Sequence, residues 1–558
     1  MKTYQYQGEL AQLPVPSLED SVGLYLECLQ PLVDNASFQN TKELAEAFLK
    51  NEGPVLQEKL LKYSREIHPE SWLLEYSRDI YLKMRGPVAI EGNYVLEMAT
   101  LPFLQDYDYL SFAAAVAHCI GLVYLELSNE TLKPMMAKDQ PLCMNQFKTA
   151  FRAAKVPAKG KDKDVLFKDE DVHSMGVFYK NRFYAVRLVD SNKKVVGCGE
   201  LRSALAAIYN SAEEPLEVNF NTAGFAGSER CAELLELLCP EKMSIVHSTM
   251  FNITLSNRQS SEFSLCDKLL TDTTDIWPYK ACSFTVYQDK ICCFNMEHTF
   301  CDALTNIYLF QHVLEEMKQL PKEPPLNKEA AQTTPVNFNL GPVHDALSGI
   351  KKEYMDLRNQ IGSSVLTQEK IPLADLKAKG VHVDFYFQLA FLYAQLKAYG
   401  SSQSTHESVS VTQYYNGRTS CIRTVSKESL AFLNEGGADL LVTASKEHVR
   451  RIKAAKNFCC FIRHATGLEM MADKTDKKPA LFEDPNFALF RTQKLSTSTG
   501  GNLPFMRSFF YAPQTERGLG VGYITNGDFL TVNISYYKKD TELAELFIQG
   551  LEEYFAKF

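Results

Sequence analysis

Several common signatures are missing from this chain of 558 residues. Its 14 cysteines include no Cys-x-x-Cys pair, so neither a structural zinc site nor a thioredoxin-like motif has support. A basic excess is also missing, because 59 Lys and Arg stand against 68 Asp and Glu, for a net charge of −9. Nucleic-acid binding needs a basic surface. We therefore expect no metal site and no nucleic-acid partner.

Targeting and membrane signals are equally scarce. We find no uninterrupted apolar run of about 18 residues and predict no transmembrane segment. The first 21 residues lack the apolar core of a signal peptide and the Arg/Ser-rich pattern of a transit peptide. Cysteines without a disulfide framework are typical of a reducing compartment. We expect a cytoplasmic monomer, with peroxisomal and mitochondrial locations left open.

Helical and strand-like patterns alternate along the chain, which predicts an α/β protein with two halves. A Pro-, Lys- and Glu-rich stretch over 318–341 is the best candidate for a linker between them. The remaining predicted elements are helices over 18–84, 108–126, 385–399 and 542–555, a hairpin over 177–189 that turns at Lys180-Asn181, and strands over 408–412, 520–524 and 529–536.

The most informative segment is His298-Thr-Phe-Cys-Asp302. Residues 283–295 predict a hairpin with a turn at Gln-Asp-Lys, and the apolar spacing after Ala303 predicts a helix. A neutral imidazole at such a junction can remove a hydroxyl proton near pH 7. The simpler interpretation is a buried structural histidine, with Asp302 as the N-cap of the helix. A nucleophilic Cys301 is a further, less favoured interpretation.

Segments spread from residue 13 to the C-terminal region decide between these interpretations, because together they resemble the choline/carnitine acyltransferase family. The segments that carry the resemblance are Leu13–Leu26 (LPVPSLEDSVGLYL), Gly53–Leu60 (GPVLQEKL), Glu297–Ala303 (EHTFCDA), Asn416–Thr424 (NGRTSCIRT), Arg463–Leu468 (RHATGL), Leu495–Ser498 (LSTS), Gly520–Tyr523 (GVGY) and Asn533–Ser535 (NIS).

The resemblance implies a fold of two chloramphenicol-acetyltransferase-like domains, with mixed β-sheets, flanking helices and an active-site tunnel at the domain interface. Residues 65–340 would form the domain with the catalytic histidine, and residues 341–558 the domain that binds carnitine and CoA. N-terminal helices over 1–64 would pack with the second domain.

The implied reaction is reversible acyl transfer between acyl-CoA and the hydroxyl of carnitine. His298 would act as the general base, and Ser498 would stabilise the oxyanion. Asp302 would be structural, with Arg418 as its partner. CoA would be a co-substrate, and the resemblance implies no permanently bound cofactor.

The resemblance also assigns binding residues. Arg463 and Thr419 match positions that bind the carnitine carboxylate, and a guanidinium suits a carboxylate because two parallel N–H groups meet two oxygens. Phe510 matches an aromatic residue near the trimethylammonium group. Tyr81 and His406 complete the predicted carnitine site, although His406 replaces a family tyrosine; a charged His406 would favour an anion.

The predicted CoA site consists of Lys377, Lys379 and Asp384. The family places two lysines four residues apart here, and Leu373 stands at the first position. Such departures keep three alternatives open. The acceptor could be choline or another alcohol, the chain could be a broader His-x-x-x-Asp acyltransferase, or it could bind acyl-CoA or carnitine without turnover.

Overall fold

The structure is a computed structural model that describes residues 2–322, 329–472 and 478–558. The chain forms two compact units, each with helices around a β-sheet. Unit 1 comprises Met1–Gly8, Tyr76–Ser363 and Asn502–Ala512. Unit 2 comprises Glu9–Glu75, Ser364–Gly501 and Pro513–Phe558. The predicted α/β class with two units and mixed sheets is therefore confirmed.

The α-helices of the described residues include helices in every range where the sequence predicted them. In chain order they are α1 (Leu18–Leu29), α2 (Asn35–Lys50), α3 (Glu52–Glu66), α4 (Leu74–Leu82), α5 (Val88–Glu91), α6 (Tyr109–Ser128), α7 (Cys198–Tyr209), α8 (Ser228–Leu235), α9 (Pro240–Ser248), α10 (Leu265–Leu269), α11 (Ala303–Met317), α12 (His344–Arg358), α13 (Leu373–Ala378), α14 (Val383–Tyr399), α15 (Lys427–Glu435), α16 (Ala438–Lys456), α17 (Phe461–Met471), α18 (Ala480–Glu483), α19 (Pro485–Arg491) and α20 (Thr541–Lys557).

The β-strands include every strand predicted from the sequence. In chain order they are β1 (Ala11–Gln12), β2 (Asn93–Met98), β3 (Met136–Ala137), β4 (Gln140–Pro141), β5 (Ala153–Val156), β6 (Lys163–Leu166), β7 (Ser174–Tyr179), β8 (Arg182–Arg187), β9 (Asn252–Leu255), β10 (Cys282–Val286), β11 (Cys292–Glu297), β12 (Thr333–Pro335), β13 (Ile361–Gln368), β14 (Thr405–Ser410), β15 (Tyr414–Tyr415), β16 (Thr419–Ile422), β17 (Leu495–Asn502), β18 (Met506–Tyr511), β19 (Leu519–Asn526) and β20 (Phe529–Tyr537).

The main sheet of unit 1 has the order β12-β8-β7-β9-β10-β11-β2-β18. Its pairs β7/β9 and β9/β10 are parallel, whereas β10/β11, β11/β2 and β2/β18 are antiparallel. The hairpin β7/β8 turns at Lys180 and Asn181, both with positive φ, which is the conformation that a two-residue type I′ turn requires. The predicted hairpin is confirmed.

Helix α6 is part of the core of unit 1. Asp108 caps it, since its carboxylate accepts from the backbone N–H of Ser111 at 2.9 Å. Among the described residues, α6 is the one helix that is long and apolar enough to cross a membrane by length and composition. Most of its residues are buried within the unit, which is the position of a core helix.

In unit 2, the described residues form a six-stranded sheet with the order β13-β20-β19-β17-β14-β16. Helices α14 and α20 pack on it, with Phe391 and Phe547 among the residues of the shared core. Helix α14 is apolar on all sides because it is buried between the sheet and α20, and it ends at Gly400, whose φ of 72° is the left-handed conformation that favours glycine.

The divisions between the units differ from the predicted boundaries at 64 and 340. Helix α12 belongs to unit 1, where Leu347, Ile350 and Tyr354 join its core. Part of the predicted linker, β12, pairs with β8 at the edge of the unit 1 sheet, and residues 323–328 lie outside the described part. As an edge strand, β12 pairs with a neighbour on one side and is exposed on the other, which accounts for the polar, Pro-rich composition of this stretch.

Candidate active site

His298 lies at the predicted junction of strand and helix. Strand β11 ends at Glu297, and α11 begins at Ala303 with Asp302 in the N-cap position. The backbone N–H of His298 donates to the carbonyl of Gly92 at 3.0 Å, which ties the loop to the start of β2. The predicted hairpin and helix are confirmed; Asp302 holds the N-cap position, but its side chain makes no capping hydrogen bond.

The imidazole of His298 is packed between aromatic rings and keeps 33% of its side chain exposed. The ring of Tyr81 stacks on it, with centroids 4.8 Å apart and planes at 17°. Tyr94 meets it edge-on, with centroids 5.0 Å apart. Stacking limits rotation of the imidazole about its side-chain bonds. Tyr81, which was predicted to belong to the carnitine site, is therefore in contact with His298 within unit 1.

Asp302 lies beside the imidazole but beyond hydrogen-bond distance, with Oδ1 3.7 Å from Nδ1 of His298. Its carboxylate accepts from Nε2 of Gln146 at 2.8 Å, and its backbone N–H donates to Oε1 of the same amide at 2.6 Å. Gln146 therefore fixes both the side chain and the backbone of Asp302. The sequence carries no signal for Gln146, since it is distant in the chain and belongs to no motif.

A buried ionic cluster lies directly behind His298. The carboxylate of Glu297 accepts from the backbone N–H of Thr299 at 3.0 Å and from its hydroxyl at 2.8 Å, so these bonds bracket His298. Nζ of Lys155, a fully buried residue, lies 3.6 Å from the same carboxylate. Sequence reasoning missed Lys155, because β5 carries no recognisable motif.

The predicted residues in unit 2 share one face of its sheet. Strand register places His406 opposite Ser496 and Ser410 opposite Thr419. Because side chains alternate along a strand, His406, Thr419 and Ser498 project from the same face. Ser498 and Thr419 are half-buried there. The structure thus brings these three predicted residues to a common surface.

Arg463 lies in the first turn of α17 and is close to His406. Burial, with the charges of Arg423 and Arg463, lowers the pKa of His406 well below its ordinary value. Nδ1 of His406 has no hydrogen-bond partner among the described residues. Desolvation and the two guanidinium groups therefore disfavour the charged form of His406, on which the predicted attraction of an anion depends.

The opposite face of the same sheet carries a buried hydrogen-bonded network. Nε2 of Gln388 donates to Glu407 at 2.9 Å, to Thr497 at 3.1 Å and to Tyr523 at 3.2 Å. Thr497 also donates to Glu407. Burial, together with the charge of Asp384, raises the pKa of Glu407 well above its ordinary value. Burial and the neighbouring negative charge thus favour the neutral form of Glu407.

Asp384 is the ionised member of this network. Burial acts to raise its pKa, but hydrogen bonds from His448 at 2.7 Å and from Tyr523 at 2.6 Å lower it overall. Asp384 lines a cavity of about 390 Å³ within unit 2, together with Glu407 and Ser408. Lys377, in α13, and Lys379, at its end, are exposed. The geometry thus gives Asp384 a structural role as well as a place on the cavity wall.

Two further predicted residues occupy defined positions. Phe510 lies in β18 of unit 1, opposite Val95 of β2, and is 1% exposed. Arg418, in unit 2, precedes β16, and its carbonyl accepts from the backbone N–H of Val411 at 3.1 Å. Asp302 and Arg418 belong to different units, so their pairing stays a prediction.

An accessible imidazole with a supported carboxylate four residues later defines a candidate acyltransferase site. The model of the choline/carnitine O-acyltransferase family matches residues 13–553. The chain belongs to this family. It is therefore a CoA-dependent O-acyltransferase, which transfers acyl groups between CoA and carnitine-like alcohols.

Curated relatives agree with the family match over almost the whole chain. The mitochondrial carnitine O-acetyltransferase of Saccharomyces cerevisiae is 24% identical, with 95% of this chain and 84% of that protein covered. The mitochondrial carnitine O-palmitoyltransferase 2 of Macaca fascicularis is 25% identical, with 99% and 92% covered. The carnitine O-acetyltransferase of Mus musculus is also 25% identical, with 96% and 91% covered.

Similarity to solved structures is weaker. The first condensation domain of the calcium-dependent antibiotic synthetase has a TM-score of 0.39 and 8% sequence identity, with 87% of this chain and 94% of that chain covered. A score at this level supports no conclusion about fold or function.

Proposed function

We propose that this protein transfers an acyl group reversibly between acyl-CoA and the hydroxyl of carnitine, with His298 as the general base. The observation that carries the proposal is the imidazole itself, which is stacked on Tyr81, flanked by Asp302 and partly exposed. A base that is both oriented and accessible can meet a substrate hydroxyl without rearrangement.

The proposed reaction needs no acyl-enzyme. The carnitine oxygen attacks the thioester carbon while its proton moves to a ring nitrogen of His298. The tetrahedral intermediate then releases the CoA thiolate, which takes the proton back from His298. Ser498 would donate to the oxyanion, and such a donor typically lowers the barrier by about 2.7–4 kcal/mol.

Asp302 would orient the loop and would not accept the proton in this mechanism. Its separation of 3.7 Å from Nδ1 of His298 exceeds hydrogen-bond distance, and Gln146 engages both its carboxylate and its backbone. We propose that Arg418 supplies a further partner in the assembled protein. Loss of Asp302 would then disturb the geometry of the loop more than the proton transfer.

Carnitine is the preferred acceptor because Arg463 lies close to the sheet face that carries Thr419, Ser498 and His406. A guanidinium can bind the carboxylate that carnitine has and choline lacks. Tyr81 would contact the alcohol next to His298, and Phe510 would approach the trimethylammonium group from a buried position. Burial and the nearby guanidinium groups lower the pKa of His406 and disfavour a positive charge there, which keeps choline as a second candidate acceptor.

CoA binding is proposed at the cavity in unit 2 whose wall includes Asp384. The exposed Lys377 and Lys379 precede Asp384 by seven and five residues and would bind CoA phosphates as point charges.

The cytoplasmic location expected from the sequence stays a prediction, and the two relatives named as mitochondrial keep that compartment open. The monomeric state is likewise a prediction.

The test is a panel of CoA-thiol release assays. Acetyl-, octanoyl- and palmitoyl-CoA are each incubated with the protein and either carnitine or choline. We expect release that depends on carnitine. If CoA release depends on choline alone, the acceptor is choline and the carnitine proposal fails. If the protein binds acyl-CoA or carnitine but shows no acceptor-dependent release, it is a catalytically inactive binding protein.

A further inference from the structure

We propose that Lys155 is a positioning residue for His298, an inference that rests on the proposed function and extends it. Lys155 lies in β5 and its side chain is fully buried. Its Nζ donates to the carbonyl of Tyr81 at 2.8 Å and lies 3.6 Å from Oε1 of Glu297. One ammonium group therefore joins two separate segments that both contact or flank His298.

The first segment carries the stacked ring. Tyr81 lies near the end of α4, and its ring is parallel to the imidazole of His298 within 17°. The hydrogen bond from Lys155 holds the backbone of Tyr81, from which that ring projects. This carbonyl lies in the last turn of α4 and also accepts from the backbone N–H of Met84 at 3.3 Å, so the buried ammonium of Lys155 is its second donor.

The second segment carries His298 itself. The carboxylate of Glu297 binds the backbone and hydroxyl of Thr299, so the loop is closed around the residue between them. Lys155 offsets the charge of this carboxylate, which is buried together with it. Without the ammonium group, the buried carboxylate of Glu297 would lose one compensating charge, which favours rearrangement of the loop or binding of a proton.

A second anion completes the cluster. Oδ2 of Asp162 lies 3.7 Å from Nζ of Lys155, and Oδ1 lies 3.0 Å from Nη2 of Arg85. The hydroxyl of Ser228 donates to Asp162 at 2.9 Å. Two cations thus face two carboxylates, which explains why Lys155 can remain buried. Asp162 fixes the ammonium, and the ammonium fixes the two segments around His298.

The expected consequence is a loss of orientation in the imidazole. Lys155→Met keeps the apolar part of the side chain and removes the charge and the hydrogen bond to Tyr81. We expect kcat to fall about 10- to 100-fold, since a small misplacement of a reacting group has an effect of this size. The KM for acyl-CoA should stay within about 2-fold, because Lys155 belongs to the core of unit 1 and the proposed CoA residues belong to unit 2.

The matched control is Lys280→Met. Lys280 is also fully buried in unit 1, and its Nζ donates to the carbonyl of His247 at 2.7 Å. It therefore reports the general effect of removing a buried lysine. We expect kcat within about 2-fold of wild type for this control. Equal losses of kcat in both variants would overturn the positioning role.

A spectroscopic readout separates this inference from the proposed function. The imidazole Cε1–H resonance of His298, assigned through its disappearance in His298→Ala, should shift or broaden in Lys155→Met and stay in place in Lys280→Met. An unchanged resonance in a folded Lys155→Met would overturn the inference. A wild-type protein without CoA release would overturn the proposed function, while the resonance would still decide the role of Lys155.

If Lys155→Met does not fold, Glu297→Gln tests the same link. The single amide oxygen can take over one of the two hydrogen bonds from Thr299, and the attraction to Lys155 is weakened. We expect a folded protein with kcat lowered about 3- to 10-fold and a displaced His298 resonance. A kcat and a resonance equal to those of wild type would contradict the role of the cluster.

Discussion

The two units use their buried polar groups differently. In unit 1, Lys155, Asp162 and Glu297 form an ionic cluster directly behind a partly exposed imidazole. In unit 2, Glu407, Gln388 and Thr497 form a hydrogen-bonded network in which burial raises the pKa of the Glu407 carboxyl. Buried carboxylates face buried or partly buried cations in the first case, whereas hydrogen bonds surround the carboxyl of Glu407 in the second.

This difference matches two separate proposed roles, the positioning of His298 in unit 1 and the recognition of substrate in unit 2. An ionic cluster fixes the direction of the groups attached to it, and those groups in unit 1 include Tyr81 and the loop that carries His298. The network in unit 2 lies behind the sheet face with His406 and Thr419 and beside a cavity. A strongly raised pKa, as in Glu407, therefore marks a structural group here and not by itself a catalytic one.

The largest expected effect on kcat comes from substitution of His298, the partly exposed imidazole of unit 1. His298→Ala should lower kcat roughly 10²- to 10⁴-fold, which is the usual contribution of a general base. The matched control is His312→Ala, since His312 also has an acid four residues later but lies in α11 with its ring packed on Tyr308. Steady-state CoA-release assays measure both, and equal losses would contradict the assignment.

The next effect tests recognition in unit 2. Arg463→Asn should raise the KM for carnitine roughly 10- to 100-fold, because hydrogen bonds to a charged group contribute about 1.5–3 kcal/mol. The KM for choline should stay nearly constant. Arg450→Asn, which changes an exposed arginine of the same unit, is the control. A parallel rise for both alcohols would count against carboxylate binding.

The two carboxyls of unit 2 whose pKa values shift in opposite directions can be compared directly. Asp384→Asn removes a charge that accepts from His448 and Tyr523, and we expect a loss of about 1.5–3 kcal/mol of stability. Burial raises the pKa of Glu407 and so favours its neutral form, and the loss in Glu407→Gln should therefore stay below about 1 kcal/mol. Thermal unfolding measures both, and the reverse order would contradict these two pKa directions.

A smaller effect concerns acid stability. Burial lowers the pKa of His464 to about 4, below the ordinary value of 6.5, so the unfolded chain binds this proton more readily. The contribution of this group to stability is complete above pH 6.5 and is lost as the pH falls toward 4. At pH 5 the loss is about 2 kcal/mol.

The corresponding variant is His464→Gln, which can still bond to Ser21 and Gln57 as the imidazole does. Thermal unfolding between pH 7 and pH 5 should depend less on pH in this variant than in wild type. His344→Gln, at an exposed histidine, should leave the pH dependence unchanged. Identical pH dependence in all three proteins would refute the assignment.

Local patterns predicted much of the fold. The turn at Lys180-Asn181, the hairpin before His298 and the helix from Ala303 are each specified by neighbouring residues, and each is found. The position of β18 in the unit 1 sheet could not be predicted, because it pairs with β2 across more than 400 residues of chain. Such pairing depends on tertiary packing and leaves no local signal.

The site follows the same division. His298 and Asp302 were found because the acid follows the histidine by four residues and because separated motifs resemble a family. Gln146 and Lys155 were missed, although they hold Asp302, Tyr81 and Glu297 in place. A buried lysine or a half-buried glutamine has no distinctive sequence environment, and its role depends on neighbours that only the fold brings near.

The central claim is that the acyl group passes from CoA to carnitine without an acyl-enzyme, with His298 as the general base. Its most direct test is mass spectrometry of the products and of the intact protein after mixing with octanoyl-CoA and carnitine. The account predicts octanoylcarnitine and free CoA in equal amounts, and no octanoyl group on the protein when carnitine is omitted. A protein whose mass increases by one octanoyl group, or free octanoate in place of octanoylcarnitine, would contradict it.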